Sequence, residues 1–128
     1  MANNNTDHVP RVLVNRVSKQ AVFPSDFILS SAKTITLHAR GGTIEVPTDL
    51  RFTVPVGVLI KFVPIPDMSQ QFEVAKGFIS SGIEAPVLVR LWNFSRLQIE
   101  VKAGDEIARL DFSGRTSPEF IDVTPDFD

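Results

Sequence analysis

Apolar and polar residues alternate in short runs along most of the chain. "RVLVNRV" at 11–17 has the period of two expected of a half-buried strand. "AVFPSDFILSS" carries a second apolar piece, interrupted by Pro24. In "KTITLHA", Ile35 and Leu37 share one face, and Gly41–Gly42 marks a turn. "TIEVPTDLRFTVP" holds Ile44 and Val46 in phase, then Leu50, Phe52 and Val54. "VGVLIKFVPIP" reads as a more buried strand ended by prolines, and "FEVAKGFIS", "PVLVRLWNFS", "LQIEVKAG" and "EIARLDF" continue the series. No window sustains a helical period, and nine prolines punctuate the chain. Strands recurring every ~8–12 residues predict an all-β fold, an antiparallel sandwich, jelly roll or barrel. The expected domain covers residues 10–112. Residues 1–9 form a polar, flexible arm. Residues 113–128 carry Phe120, Ile121, Val123 and Phe127 among acidic residues, more apolar content than a frayed end needs. This tail is expected to dock on a neighbouring subunit or partner, with "EFIDV" adding a strand to an exposed sheet edge.

Composition narrows the chemistry. The 128 residues suit one domain with a real core, and a net charge of −2 with scattered Lys and Arg argues against nucleic-acid binding. The absence of cysteine excludes disulfides, thiolate metal sites and Cys nucleophiles. His8 and His38 stand alone, so a histidine metal site is not expected. The N-terminus lacks the apolar segment of a secretory signal, and the longest apolar stretch, "VPVGVLI", is too short to span a bilayer. Glu45, Asp49 and Asp67 read as solvated carboxylates rather than a cation site. Alternation puts Trp92 and Phe94 on one face, for core or subunit-interface packing ahead of an exposed binding surface. Gly104–Asp105 suits a tight strand reversal that needs no ligand.

Four segments carry a family pattern in order and spacing. "VLVRLWNFSRLQIEVKAGDEIARLDF" has an Asn93-x-Ser95 corner, an alternating strand and a Gly104-Asp105-x-Ile107-Ala108-x-Leu110 run. "VPTDLRFTVPVGVLIKFVP" has a strand, a Pro55-x-Gly57 turn and a strand, followed by "EVAKGFISSGIEAPVLV"; "SDFILSS" lies upstream. From Ser25 to Phe112 the chain resembles the deoxyuridine triphosphatase (dUTPase) and dCTP deaminase superfamily. The resemblance implies a distorted antiparallel jelly-roll barrel, a homotrimer with active sites between subunits, and C-terminal segments that reach a neighbour. In such a trimer Arg90, Arg96 and Arg109 would serve interface ion pairs, with Arg90 facing the axis or solvent.

The chemistry implied is attack of water on the α-phosphate of dUTP, which needs a carboxylate base, Mg²⁺ on the phosphates, and cationic groups around them. The family's first-motif Asp corresponds to Ile28, with Asp26 two residues earlier on the same face of a regular strand. Its Pro-Arg-Ser-Gly phosphate grip corresponds to Pro64, Ile65, Pro66 and Asp67. Its Gly-Val-Ile-Asp base motif corresponds to Gly77, Phe78, Ile79 and Ser80, with Ile83 in place of the sugar-stacking Tyr. Arg109 replaces the fourth-motif Gln, and "SGRTSPEF" offers Gly114 and Arg115 but no Gly-rich phosphate lid. The deaminase Glu corresponds to Arg90. On these positions the expectation is a pseudoenzyme without cofactor: a trimeric structural or interaction protein of a virus or phage. It would decorate a capsid or bind viral or host proteins, inside the virion or the host cell and away from membranes. The rival expectation is a divergent enzyme acting on dUTP or dCTP through Asp26, Asp67 or Asp105, or a nucleotide-binding sensor.

Overall fold

In the computed structural model, which describes residues 9–66, 72–80, 82, 84–113 and 117–125, the alternating segments form eleven strands, and no helix occurs among the described residues. They are β1 (Arg11–Arg16), β2 (Ile28–Ser30), β3 (Ile35–Leu37), β4 (Thr43–Thr53), β5 (Leu59–Val63), β6 (Phe72–Val74), β7 (Phe78–Ile79), β8 (Ala85–Asn93), β9 (Ile99–Val101), β10 (Glu106–Ser113) and β11 (Glu119–Asp122). The expected all-β class is borne out. One sheet runs β11-β1-β4-β8-β6, a second β2-β10-β5-β7, and a short pair joins β3 to β9.

The core lies between the sheets. Val12, Val14, Val46, Phe52, Val87, Val89 and Leu91 face inward from the first, and Leu29, Ile60, Ile107 and Leu110 from the second. β8 shows the cause most plainly, since Val87, Val89, Leu91 and Asn93 are buried while Leu88, Arg90 and Trp92 point out. In β4 the pairing with β8 jumps from Pro47↔Leu88 to Arg51↔Pro86, so β4 carries two extra residues there. An even insertion leaves Val46, Leu50 and Phe52 on the same face, which is why their phase survives a bulge. The bulge is closed by buried Thr48, whose hydroxyl donates to Val87 O at 2.8 Å and accepts from Leu50 N–H at 3.2 Å. Asp49 is not simply a solvated carboxylate: at φ +56° it accepts from the Ser18 hydroxyl at 2.6 Å.

Two tight turns use glycine at positive φ. Gly57 (φ +89°) closes Pro55–Val58, and Gly104 (φ +93°) closes Lys102–Asp105, where Asp105 N–H donates to Lys102 O at 2.9 Å. Placed at a neighbour by the sequence reading, the tail here lies on its own chain, with β11 parallel to β1 (Arg11↔Glu119, Leu13↔Ile121). Among the described residues no helix is long and apolar enough to cross a membrane.

Candidate functional site

Three of the motif positions converge on the second sheet. Arg109 of β10 lies opposite Ile28 of β2 on one side and Val63 of β5 on the other. Past Val63 the chain continues into Pro64, buried Ile65 and exposed Pro66. The first, second and fourth motif positions therefore share one end of the sheet. Ser80 does not join them. It follows β7, whose Ile79 pairs with Ile60. Ile60 lies three residues back along β5 from Val63, about 10 Å at the strand rise. Within one chain the base position and the phosphate-side positions thus sit toward opposite ends of β5. Asp67 and Ile83 lie outside the described residues, as do Gly114, Arg115 and Phe127.

Asp26 is not on a regular strand beside Ile28. It precedes β2 in a two-residue turn in which Ile28 N–H donates to Ser25 O at 3.0 Å. Asp26 (φ +54°) and Phe27 (φ +61°) are both left-handed, the geometry of a type I′ turn, which favours Asn, Asp or Gly first and Gly second, so Phe27 is the misfit. A non-glycine residue held there costs ~1–2 kcal/mol. The Asp26 carboxylate is exposed. Asp105 is occupied differently, because its carboxylate accepts Lys102 N–H at 2.9 Å and stabilises its own turn.

Gly77 opens the third motif. Its carbonyl accepts Phe62 N–H at 3.0 Å, and a Cβ there would lie 3.1 Å from the Phe62 ring, so a side chain would fit only if that ring shifted slightly. Ala75, Lys76, Gly77 and Phe78 border an open depression of about 210 Å³ with Phe62 and Leu88. Among the described residues no group of three or more His, Asp or Glu can hold a metal ion. The aliphatic Ile28 and the exposed Asp26 at this end of the sheet do not make a Mg²⁺ ligand set.

The remaining singled-out residues lie elsewhere. Arg90 projects from the outer face of the first sheet, its Nε 3.6 Å from Glu45 Oε2 of the same chain, in an exposed pair of small energetic weight. Trp92 and Phe94 lie outside the core, 42% and 48% exposed, edge-to-face at 5.9 Å. Asn93 between them is buried and organises the corner. Its Nδ2 donates to Leu37 O at 3.0 Å and Leu97 O at 2.8 Å, and its Oδ1 accepts Ser95 N–H at 2.9 Å. Phe120 is half-buried among Phe27, Phe52 and Phe112. Ile121 is half-buried and Val123 exposed. Asp122 accepts from Thr124 N–H and Arg16 Nε, both at 3.0 Å. Partial burial raises its pKa, but the Thr124 hydrogen bonds and the Arg16 charge outweigh this and hold the carboxyl below its ordinary value. The aromatic contacts between the tail and the Asp26–Phe27 turn were not anticipated; the only sequence signal was the phenylalanine content of the tail.

The family model for dUTPase matches residues 15–124. The deoxyuridine 5′-triphosphate nucleotidohydrolase of Solanum lycopersicum is 36% identical over 121 residues, covering 88% of this chain and 71% of that protein. The enzymes so named in Oryza sativa subsp. japonica and Fowl adenovirus A serotype 1 are each 32% identical, covering 89% and 90% of this chain and 71% and 69% of theirs. Among solved structures, a variant of the dUTPase of phage phi11 of S. aureus superposes with a TM-score of 0.73 at 17% identity, over 84% of this chain and 93% of that one. A Staphylococcus bacteriophage 80alpha dUTPase variant with dUpNHpp gives 0.71 at 18% identity, over 91% and 98%. These relatives overturn the expectation of a non-catalytic structural protein. That expectation weighed a few side chains one by one, whereas proteins named as nucleotidohydrolases match nearly the whole chain. A viral setting does not follow either, since plant and adenoviral proteins are both similar. The chain belongs to the dUTPase family.

Proposed function

We propose that the protein is a divergent deoxyuridine triphosphate nucleotidohydrolase, working as a homotrimer. The observation that carries this reading is the match to enzymes of that name at 32–36% identity across about nine-tenths of the chain. The sheet register adds support, because it brings the first, second and fourth motif positions together at Arg109. The separation of Ser80 from them favours a site completed by another copy.

In the reaction a water oxygen bonds the α-phosphorus, the bond to the bridging oxygen of pyrophosphate breaks, and dUMP and pyrophosphate leave. The water's proton passes to a base. Ser80 offers a hydroxyl that can hold the water by hydrogen bonding but cannot take its proton at neutral pH. Asp26, exposed at the turn before the first-motif position, is the carboxylate assigned to that role. Arg109 supplies positive charge at the phosphate side. The test is pyrophosphate release from dUTP with Mg²⁺ present. Turnover above the uncatalysed rate, lost in Asp26→Ala, is expected. No turnover by the wild-type protein at any concentration up to full assembly overturns the reading, and undiminished turnover in Asp26→Ala removes Asp26 from it.

A further inference from the structure

We propose that Phe120 is a positioning residue for the Asp26–Phe27 turn: seating of β11 through the Phe120 ring holds the turn in its left-handed form, and so sets where the Asp26 carboxylate and Ile28 lie. The starting point is a local conflict. Two consecutive residues at φ +54° and +61° form a turn whose first position suits Asp26 but whose second normally takes Gly, yet the second is Phe27. Local preference opposes this geometry, so contacts from elsewhere must impose it.

Those contacts come from two directions. Leu110 N–H of β10 donates to Phe27 O at 2.8 Å. The Phe27 ring lies edge-on to Phe112 at 4.9 Å and tilted against Phe120 at 5.7 Å. Phe120 also lies 5.4 Å from Phe52 and 5.9 Å from Phe112. It is thus the ring that meets the other three, joining the first sheet through Phe52 to the second through Phe112 and the turn through Phe27.

The element that delivers Phe120 is slight. β11 has four residues and lies at the sheet edge, paired among the described residues only with β1. Two backbone bonds, Glu119 N–H to Pro10 O at 2.8 Å and Val123 N–H to Val14 O at 2.9 Å, extend its ladder. Of its ion pairs, Arg11–Glu119 is exposed and adds little, while Arg16–Asp122, about one-third exposed, is a single further tie. A short edge strand therefore holds a strained turn, and release of the strand removes the ring that opposes the turn's relaxation. The coupling is a property of the fold and stands apart from the proposed hydrolysis.

Amide hydrogen exchange on the full chain, without nucleotide, tests it. Phe120→Ala should lower protection of Ile28 N–H and Leu110 N–H at least tenfold. Ser31 N–H, bonded to Asp105 O at 2.9 Å farther along β2, should keep its protection. Adding Phe27→Gly to that variant should restore protection of Ile28 N–H, because glycine adopts the left-handed form without a ring to anchor it. If Phe120→Ala loses protection everywhere, Phe120→Leu is measured against the same three amides. Unchanged protection of Ile28 and Leu110 overturns the proposal, and so does failure of Phe27→Gly to restore Ile28. Because no step requires dUTP turnover, failure of the hydrolase reading and failure of this coupling are separately visible.

Discussion

Asn93→Ala should destabilise the protein by ~3 kcal/mol. Asn93 is 1% exposed and its amide makes three hydrogen bonds, to Leu37 O, Leu97 O and Ser95 N–H. Each is worth ~1 kcal/mol net, and buried groups left without partners move the total upward. Leu97 O keeps a second donor in the Ser95 hydroxyl at 2.9 Å, which moves it down. With a urea slope of ~1.5 kcal/mol/M, the unfolding midpoint should fall by ~2 M, at fixed protein concentration because assembly also contributes. Asn93→Asp makes the reasoning sharper. The near-isosteric carboxylate presents negative charge to two carbonyl oxygens and loses both donors, so its pKa in the folded state is raised. A raised carboxyl pKa means that the folded state binds the extra proton, so the deficit is greatest above that pKa and shrinks as pH falls through it. Protonated, the new carboxyl can donate to one carbonyl. Urea titrations of both variants between pH 4 and pH 8 check this. A cost below ~0.5 kcal/mol for Asn93→Ala, within the usual range of surface substitutions, or a pH-independent deficit for Asn93→Asp would refute it.

If Ser80 stands where a base belongs, Ser80→Asp added to the Asp26→Ala variant should raise its pyrophosphate release from dUTP ~10²–10⁴-fold, and an unchanged rate would remove that position from the site. Mixed assemblies reconstituted from Ile28→Asp and Ser80→Asp chains should exceed the mean rate of the two unmixed proteins if the sites form between subunits; a rate equal to that mean would place each site within one chain. Gly104→Ala should cost ~1–2 kcal/mol in thermal unfolding from its φ of +93° alone, since no atom lies within 4 Å of the new Cβ, whereas Gly42→Ala, equally open and without positive φ, should cost nothing. The lowered pKa of Asp122 means that its stabilisation of the tail is full above the unfolded value of 3.8 and is lost as pH falls through the lower folded value. Exchange protection of Val123 N–H should weaken in that acid window, and Asp122→Asn should flatten the dependence.

Where one principle acted alone, the fold was legible. In β8 a strict alternation meets a sheet with one buried face, so Val87, Val89 and Leu91 could be placed from period alone. β4 was legible for a less obvious reason: its bulge inserts two residues, and an odd insertion would have turned Leu50 and Phe52 outward. The turn before β2 was not legible. Ser-Asp-Phe-Ile has Asp at the first turn position but Phe where a type I′ turn takes Gly, so the signal was incomplete and Asp26 was read as part of a strand. The information that overrides local preference there is tertiary, in rings distant in sequence.

The same distinction explains why the site was read less well than the fold. Aligning a motif to Ile28, Ser80 or Arg109 shows which side chain occupies a position, but catalysis depends on which positions meet. Arg109 meets Ile28 and Val63 through strand register, which no single motif encodes. Ser80 is set at the other end of β5 by its pairing through β7, so the missing carboxylate at that position and the missing carboxylate at Ile28 are not losses from one cluster in one chain. Each must be judged against whatever a neighbouring copy brings to it. Asp26, which the motif alignment counted as displaced, is held by a turn whose geometry depends on a ring from the C-terminal strand. Its position is therefore a property of the assembled fold, and the residues that decide whether this chain can act on a nucleotide include ones that no catalytic motif contains.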